Sequence, residues 1–138
     1  MSPEVNVGRQ MRYGYRRSVD APLGAVVERV RAALQHEGFG VLFEIDLKAK
    51  LREKLGVEFR SYLILGACDP ATAYHALQQE IDLGLLLPCN VAVYEEDDGR
   101  ITVGAVDAAR LLEITGNTGL AESAASVNQR LHRAIDQF

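Results

Sequence analysis

Residues 62–95, YLILGACDPATAYHALQQEIDLGLLLPCNVAVYE, decide how this chain folds. They open with apolar residues on both faces, Leu63, Ile64 and Leu65, the pattern of a strand inside a sheet rather than at its rim. That strand is predicted over residues 60–68. Asp69-Pro70 follows, an N-cap residue and then proline at the first helical position, where no intrahelical N–H is needed. The helix from 71 to about 82 is predicted to bury Ala73, Ala76, Leu77 and Ile81. A tight apolar connection at 85–88 feeds the next strand, over Cys89–Glu95. Asp98-Gly99 supplies two positions that accept positive φ, so Ile101–Val106 is predicted to return as a hairpin.

Upstream, residues 12–19 read as a short strand in which Tyr13 and Tyr15 alternate with arginines. Asp20 is a candidate cap for a helix with Pro22 in its first turn, and Leu23, Val26, Val27, Val30 and Leu34 share one face of it. Gly38 stops this helix, and residues 39–45 form a second strand. Residues 46–55 carry Leu47, Leu51 and Leu55 at helical spacing and end at Gly56. Downstream, Asp107 caps a short helix through Leu112, and Gly116-Asn117-Thr118-Gly119 breaks the chain. The last helix aligns Leu120, Ala124, Val127, Leu131, Ile135 and Phe138 on one stripe.

The order β-α-β-α-β-α-β-β-α-α predicts an α+β fold, a single-domain sandwich with helices packed on a mixed, largely antiparallel sheet. The hairpin must be antiparallel, while the β-α-β stretches leave parallel crossovers open. Residues 1–10 read as a loose leader and 11–138 as the domain. At 138 residues with 48% apolar side chains, the chain can build one core without covalent staples.

Charge and composition narrow the function. A net charge of −4 argues against sequence-independent binding of nucleic acid, which needs a cationic surface. Apolar runs fall short of the ~18–20 residues of a membrane span, so no membrane partner is expected. The polar start lacks a signal-peptide core, which predicts a cytoplasmic protein whose Cys68 and Cys89 are free thiols. Arg9, Arg12, Arg16 and Arg17 gather near the start. They either guard an exposed edge strand or contact an anion or partner.

No complete catalytic set emerges. Cys89, beside Asn90 at a strand entrance, is the candidate reactive thiol, with Cys68 as its potential companion; burial as a small apolar residue explains the same letters. The two thiols share a strand end only if their strands run antiparallel. They lack C-x-x-C spacing and suitably placed histidines, so no metal is expected, nor any cofactor. His36, His75 and His132 fall on polar helix faces and read as solvated. Glu44 and Asp46 lie on one face of a strand, a geometry for acid–base or ligand contact, although Asp46 also suits a helix cap. Asn117, in the turn before the last helix, is a candidate anion contact. The acidic run at 95–98 belongs to the hairpin turn.

The segments LGACDP and LLLPCN, together with GFGVLFEIDLKAKLREKLG upstream and EEDDGR, VGAVDAARLL and GNTGL downstream, resemble the bacterial and archaeal family called domain of unknown function 302. The resemblance covers almost everything after residue 11. It implies a small cytoplasmic α+β domain of the TT1751-like fold, with a dimer as the expected assembly, and brings no catalytic role for Cys89, Asn90 or Cys68-Asp69-Pro70. The expected function is a homodimeric ligand-binding or accessory protein taking a small-molecule ligand, the alternative a thiol-dependent redox or accessory enzyme using Cys89.

Overall fold

The computed structural model describes residues 8–138. Its elements run β1 (Arg9–Gln10), β2 (Gly14–Val19), α1 (Leu23–His36), β3 (Gly40–Asp46), α2 (Leu47–Leu55), β4 (Tyr62–Cys68), α3 (Pro70–Gln79), a 3-10 turn (Ile81–Leu85), β5 (Cys89–Glu95), β6 (Ile101–Val106), α4 (Ala108–Glu113), a second 3-10 turn (Thr118–Leu120) and α5 (Ala121–Asp136). The strands form one sheet in the order β1-β2-β6-β5-β4-β3. Every pairing in it is antiparallel.

The α+β sandwich is thus the fold, and the parallel crossovers left open by the sequence are not used. A connection long enough to hold a helix permits either strand direction. Here α2 and α3 each link neighbouring antiparallel strands, acting as long hairpin connections. Of the expected leader 1–10, residues 1–7 lie outside the described residues, while Arg9 and Gln10 pair with Arg16 and Tyr15 and join the sheet.

Local signals set most boundaries. Asp46, Asp69 and Asp107 each accept a backbone N–H at the start of a helix, from Ala49, Ala71 and Arg110. Gly56 takes the positive φ that ends α2, and in the hairpin turn Gly99 does so while Asp98 does not, so only one of the two expected turn positions is left-handed. Two further expectations fail. The N-cap of α1 is Pro22, with no side-chain cap, so Asp20 does not serve it. Ile81 is 81% exposed, because α3 stops at Gln79 and the 3-10 turn presents Leu83 to the interior instead.

One face of the sheet is covered. There Val26, Val30 and Leu34 of α1 and Leu131 and Ile135 of α5 bury against Leu65, Val91, Val93 and Val103. Each such side chain contributes roughly 1.5–3 kcal/mol on leaving water. A smaller cluster of Ala76, Leu83, Leu112, Leu120 and Ala124 joins α3, α4 and the start of α5. By contrast, α2 buries no residue. In β3 the register slips by one residue between Val41 and Phe43, a β-bulge on the outer strand. No described helix is long and apolar enough to cross a membrane.

Candidate functional site

The antiparallel pairing of β4 with β5 places Ala67 opposite Cys89, which brings both thiols to one end of the sheet. Cys68 and Cys89 line a common cavity of about 40 Å³ with Phe39, Leu83, Leu112 and Val127. That volume holds little more than a water molecule or two. Burial pushes the Cys89 thiol up to about 11, and its neighbour Cys68 adds to the shift. Burial and then the Asp69 charge push Cys68 up as well. Low-pKa thiolates need the opposite surroundings, cationic and partly exposed.

Asn90 parts from this pair. Successive residues of a strand face opposite sides, so Cys89 is buried in the core while Asn90 stands exposed on the other face. Asp69, which also lines the thiol cavity, is held in an ion pair. The Arg130 Nη1 donates to Asp69 Oδ2 at 2.8 Å and to the Glu37 carbonyl, with its guanidinium 5.0 Å from the Phe39 ring centre.

The other candidates are engaged in structure. Asn117 accepts from the Gly119 N–H and donates to the Gln79 carbonyl and to Glu80. Glu44 is paired with Arg31 of α1 at 2.8 Å. His36 and His75 are exposed, but His132 stacks on Tyr15 at 4.0 Å and its Nε2 is buried without a partner, so its solvated reading does not hold. Among the described residues no three metal-ligating side chains cluster.

The second face of the sheet carries a different feature. Register places Ile45, Ile64, Ala92, Gly104, Arg16 and Arg9 in one row across the six strands. The flanking row on one side holds Tyr62 and Tyr94, stacked with centroids 5.1 Å apart and planes 7° from parallel. The flanking row on the other side holds Asn90, Val106 and Gly14. Ala92 and Gly104 therefore form a low floor between walls, and the cleft above them has a volume of about 300 Å³. Only strand residues and the turn residues Met11 and Tyr13 line it, whereas α1 and α5 pack on the opposite face.

Two glycines show why this floor differs from ordinary packing. A methyl group on Gly66 would strike the Phe43 ring at 2.5 Å, so that glycine makes room for a core-like lid. A methyl group on Gly104 would meet the Arg16 Cβ at 3.5 Å and the Tyr15 carbonyl oxygen at 3.9 Å, both ordinary contacts. Among the described residues no side chain fills the space above it. Glycine in a strand interior weakens the strand and often marks close approach of another group. The sequence alone hides this site, because Gly104 between Val103 and Ala105 gains meaning only once three strands are in register.

Comparison with family models matches residues 15–138 to "Domain of unknown function DUF302". Among solved structures, the chain is similar to an "uncharacterized conserved protein DUF302 from Bacillus stearothermophilus", at 31% identity and a TM-score of 0.84. The match covers 91% of this chain and 98% of that one. Comparison with curated proteins gives no match.

Proposed function

Because the chain belongs to the DUF302 family, which carries no assigned activity, its role has to be read from its own surface, and we propose that it is a small-ligand-binding protein whose site is the open cleft over Ala92 and Gly104. The observation that carries this is the bare Gly104 floor between the Tyr62–Tyr94 wall and Asn90. Flat or apolar ligand surface has room to lie directly on the sheet there, with Asn90 and the tyrosine hydroxyls at hand to orient it. The two free thiols support a reducing, cytoplasmic setting.

A fluorescent apolar dye, N-phenyl-1-naphthylamine, tests the site. Gly104→Val fills the floor with a residue that suits a strand and whose Cβ makes only ordinary contacts, with the Arg16 Cβ and the Tyr15 carbonyl oxygen, so the variant is expected to fold normally and lose dye binding. Equal dye binding by both proteins would sink the proposal.

A homodimer is a second, compatible reading. Ile81 and Leu85, four residues apart on one 3-10 turn, are 81% and 86% exposed, a cost that a partner copy would remove. The stripe of α5, by contrast, is consumed inside its own subunit. Sedimentation velocity is expected to show a dimer that Leu85→Asp dissociates. A monomer at every concentration would end this reading.

A further inference from the structure

We infer that the open-face cleft is built for an anionic amphiphile, a free small molecule whose carboxylate, sulfonate or phosphate sits at Arg9 and Arg16 and whose apolar body crosses Ala92 towards Ile64. This rests on the binding reading just given and names its ligand class. Arg9 and Arg16 are directly opposite in the antiparallel ladder, so both side chains leave the sheet on the same face. Like charges so placed destabilise a strand pair unless a counter-charge joins them. Arg12 stands in the turn that links the two strands.

Among the described residues these three arginines form no ion pair within 4.0 Å. Arg31, Arg60, Arg130 and Arg133 each hold a carboxylate, whereas Arg29, Arg100 and Arg110 share the lack of one; what sets Arg9 and Arg16 apart is that they stand directly opposite each other. A cationic corner with no carboxylate partner among the described residues stands out on a chain of net charge −4.

Edge protection does not account for it. Arginine on a rim strand discourages stray pairing, which would suffice for Arg9 on β1. Arg16, however, sits on β2, which is paired on both sides, and its side chain lines the cleft. The opposite end of the same row is apolar, Ile64 and then Ile45. At the usual strand spacing, Arg16 lies about 14 Å from Ile64, the span of a small amphiphile with one charged end. Arginine's planar fork is suited to holding two oxygens of such a head group at once.

The test compares two dyes on the full chain, 1-anilinonaphthalene-8-sulfonate and its uncharged counterpart N-phenyl-1-naphthylamine. The anionic dye is expected to bind about tenfold tighter or more. Arg9→Gln with Arg16→Gln should erase that preference, leave the neutral dye unaffected and raise the melting temperature of the free protein slightly, while Arg52→Gln on α2 should change neither dye. Equal affinity for both dyes, each blocked by Gly104→Val, would overturn the anion assignment and leave the cleft as a neutral site. Failure of Gly104→Val to block either dye would overturn the cleft itself, and this inference with it. Phosphatidylglycerol vesicles present the same chemistry as a surface. The protein is expected to stay in the supernatant, and co-sedimentation abolished by the paired Gln variant would overturn a free ligand.

Discussion

At the residue scale the two cysteines and Gly104 carry opposite messages. Cys89 is a letter that attracts a mechanism, yet its burial holds it as a thiol. With a pKa of about 11 its thiolate fraction at pH 7 is about one in 10⁴, so native labelling by iodoacetamide should run about 300-fold slower than for an ordinary thiol. Mass analysis before and after unfolding checks this, and fast native labelling would restore the thiol chemistry. Because the folded state raises this pKa, the stability that Cys89 contributes is complete below pH ~8.5 and is lost as pH rises towards 11. Gly104 attracts no attention in the sequence and becomes informative in the fold. A glycine's meaning depends on what stands over it, and that is a property of neighbouring strands. The thiols could be listed from the sequence, and their proximity awaited only the strand direction.

Whole elements differ in how much they hold the domain together, and their sequences foretold this unevenly. The caps at Asp46, Asp69 and Asp107 were legible because a cap is a contact across two or three residues. The burial of a stripe was not, since it depends on what packs opposite. In α2 and α5 apolar residues recur at helical spacing, but only the stripe of α5 enters the core. Leu131→Ala should therefore cost about 2–5 kcal/mol in chemical denaturation, whereas Leu55→Ala, at a side chain 69% exposed, should cost less than about 0.5 kcal/mol. Comparable losses at both sites would contradict the one-faced packing described here. The link between α3 and α5 is equally specific. Arg130→Met should destabilise by about 1–3 kcal/mol, since it strands the Asp69 carboxylate and the Glu37 carbonyl together.

For the whole molecule, acid is the revealing perturbation. Burial works to raise the Asp69 carboxyl, but the Thr72 and Arg130 donors outweigh it and hold it below the usual carboxylate range. Burial likewise opposes Asp107, and donation from Asn128, the Arg110 N–H and Gln10 overcomes it. Both folded values lie below the unfolded ones. Their stabilisation is therefore complete above the unfolded carboxylate pKa of about 4 and is lost as pH falls through the lower folded values. Urea midpoints should hold steady from pH 6 to about 5 and drop below 4, with a smaller drop in Asp107→Asn, whose starting stability is already reduced. An unchanged acid slope in that variant would show that the Asp107 network adds nothing to the fold.

The bulge in β3 also has a bearing on how such a chain can evolve. Val41 still faces Ala67 and Phe43 still faces Gly66, so Leu42 is the supernumerary residue between two correctly seated neighbours. Deleting that single codon would leave every other side chain on its present face and yield an unbroken outer strand. It would also erase the irregularity that keeps a free strand edge from recruiting another. Loss of Leu42 should therefore leave a well-formed protein with a straight, open edge, one that assembles beyond the dimer into chains.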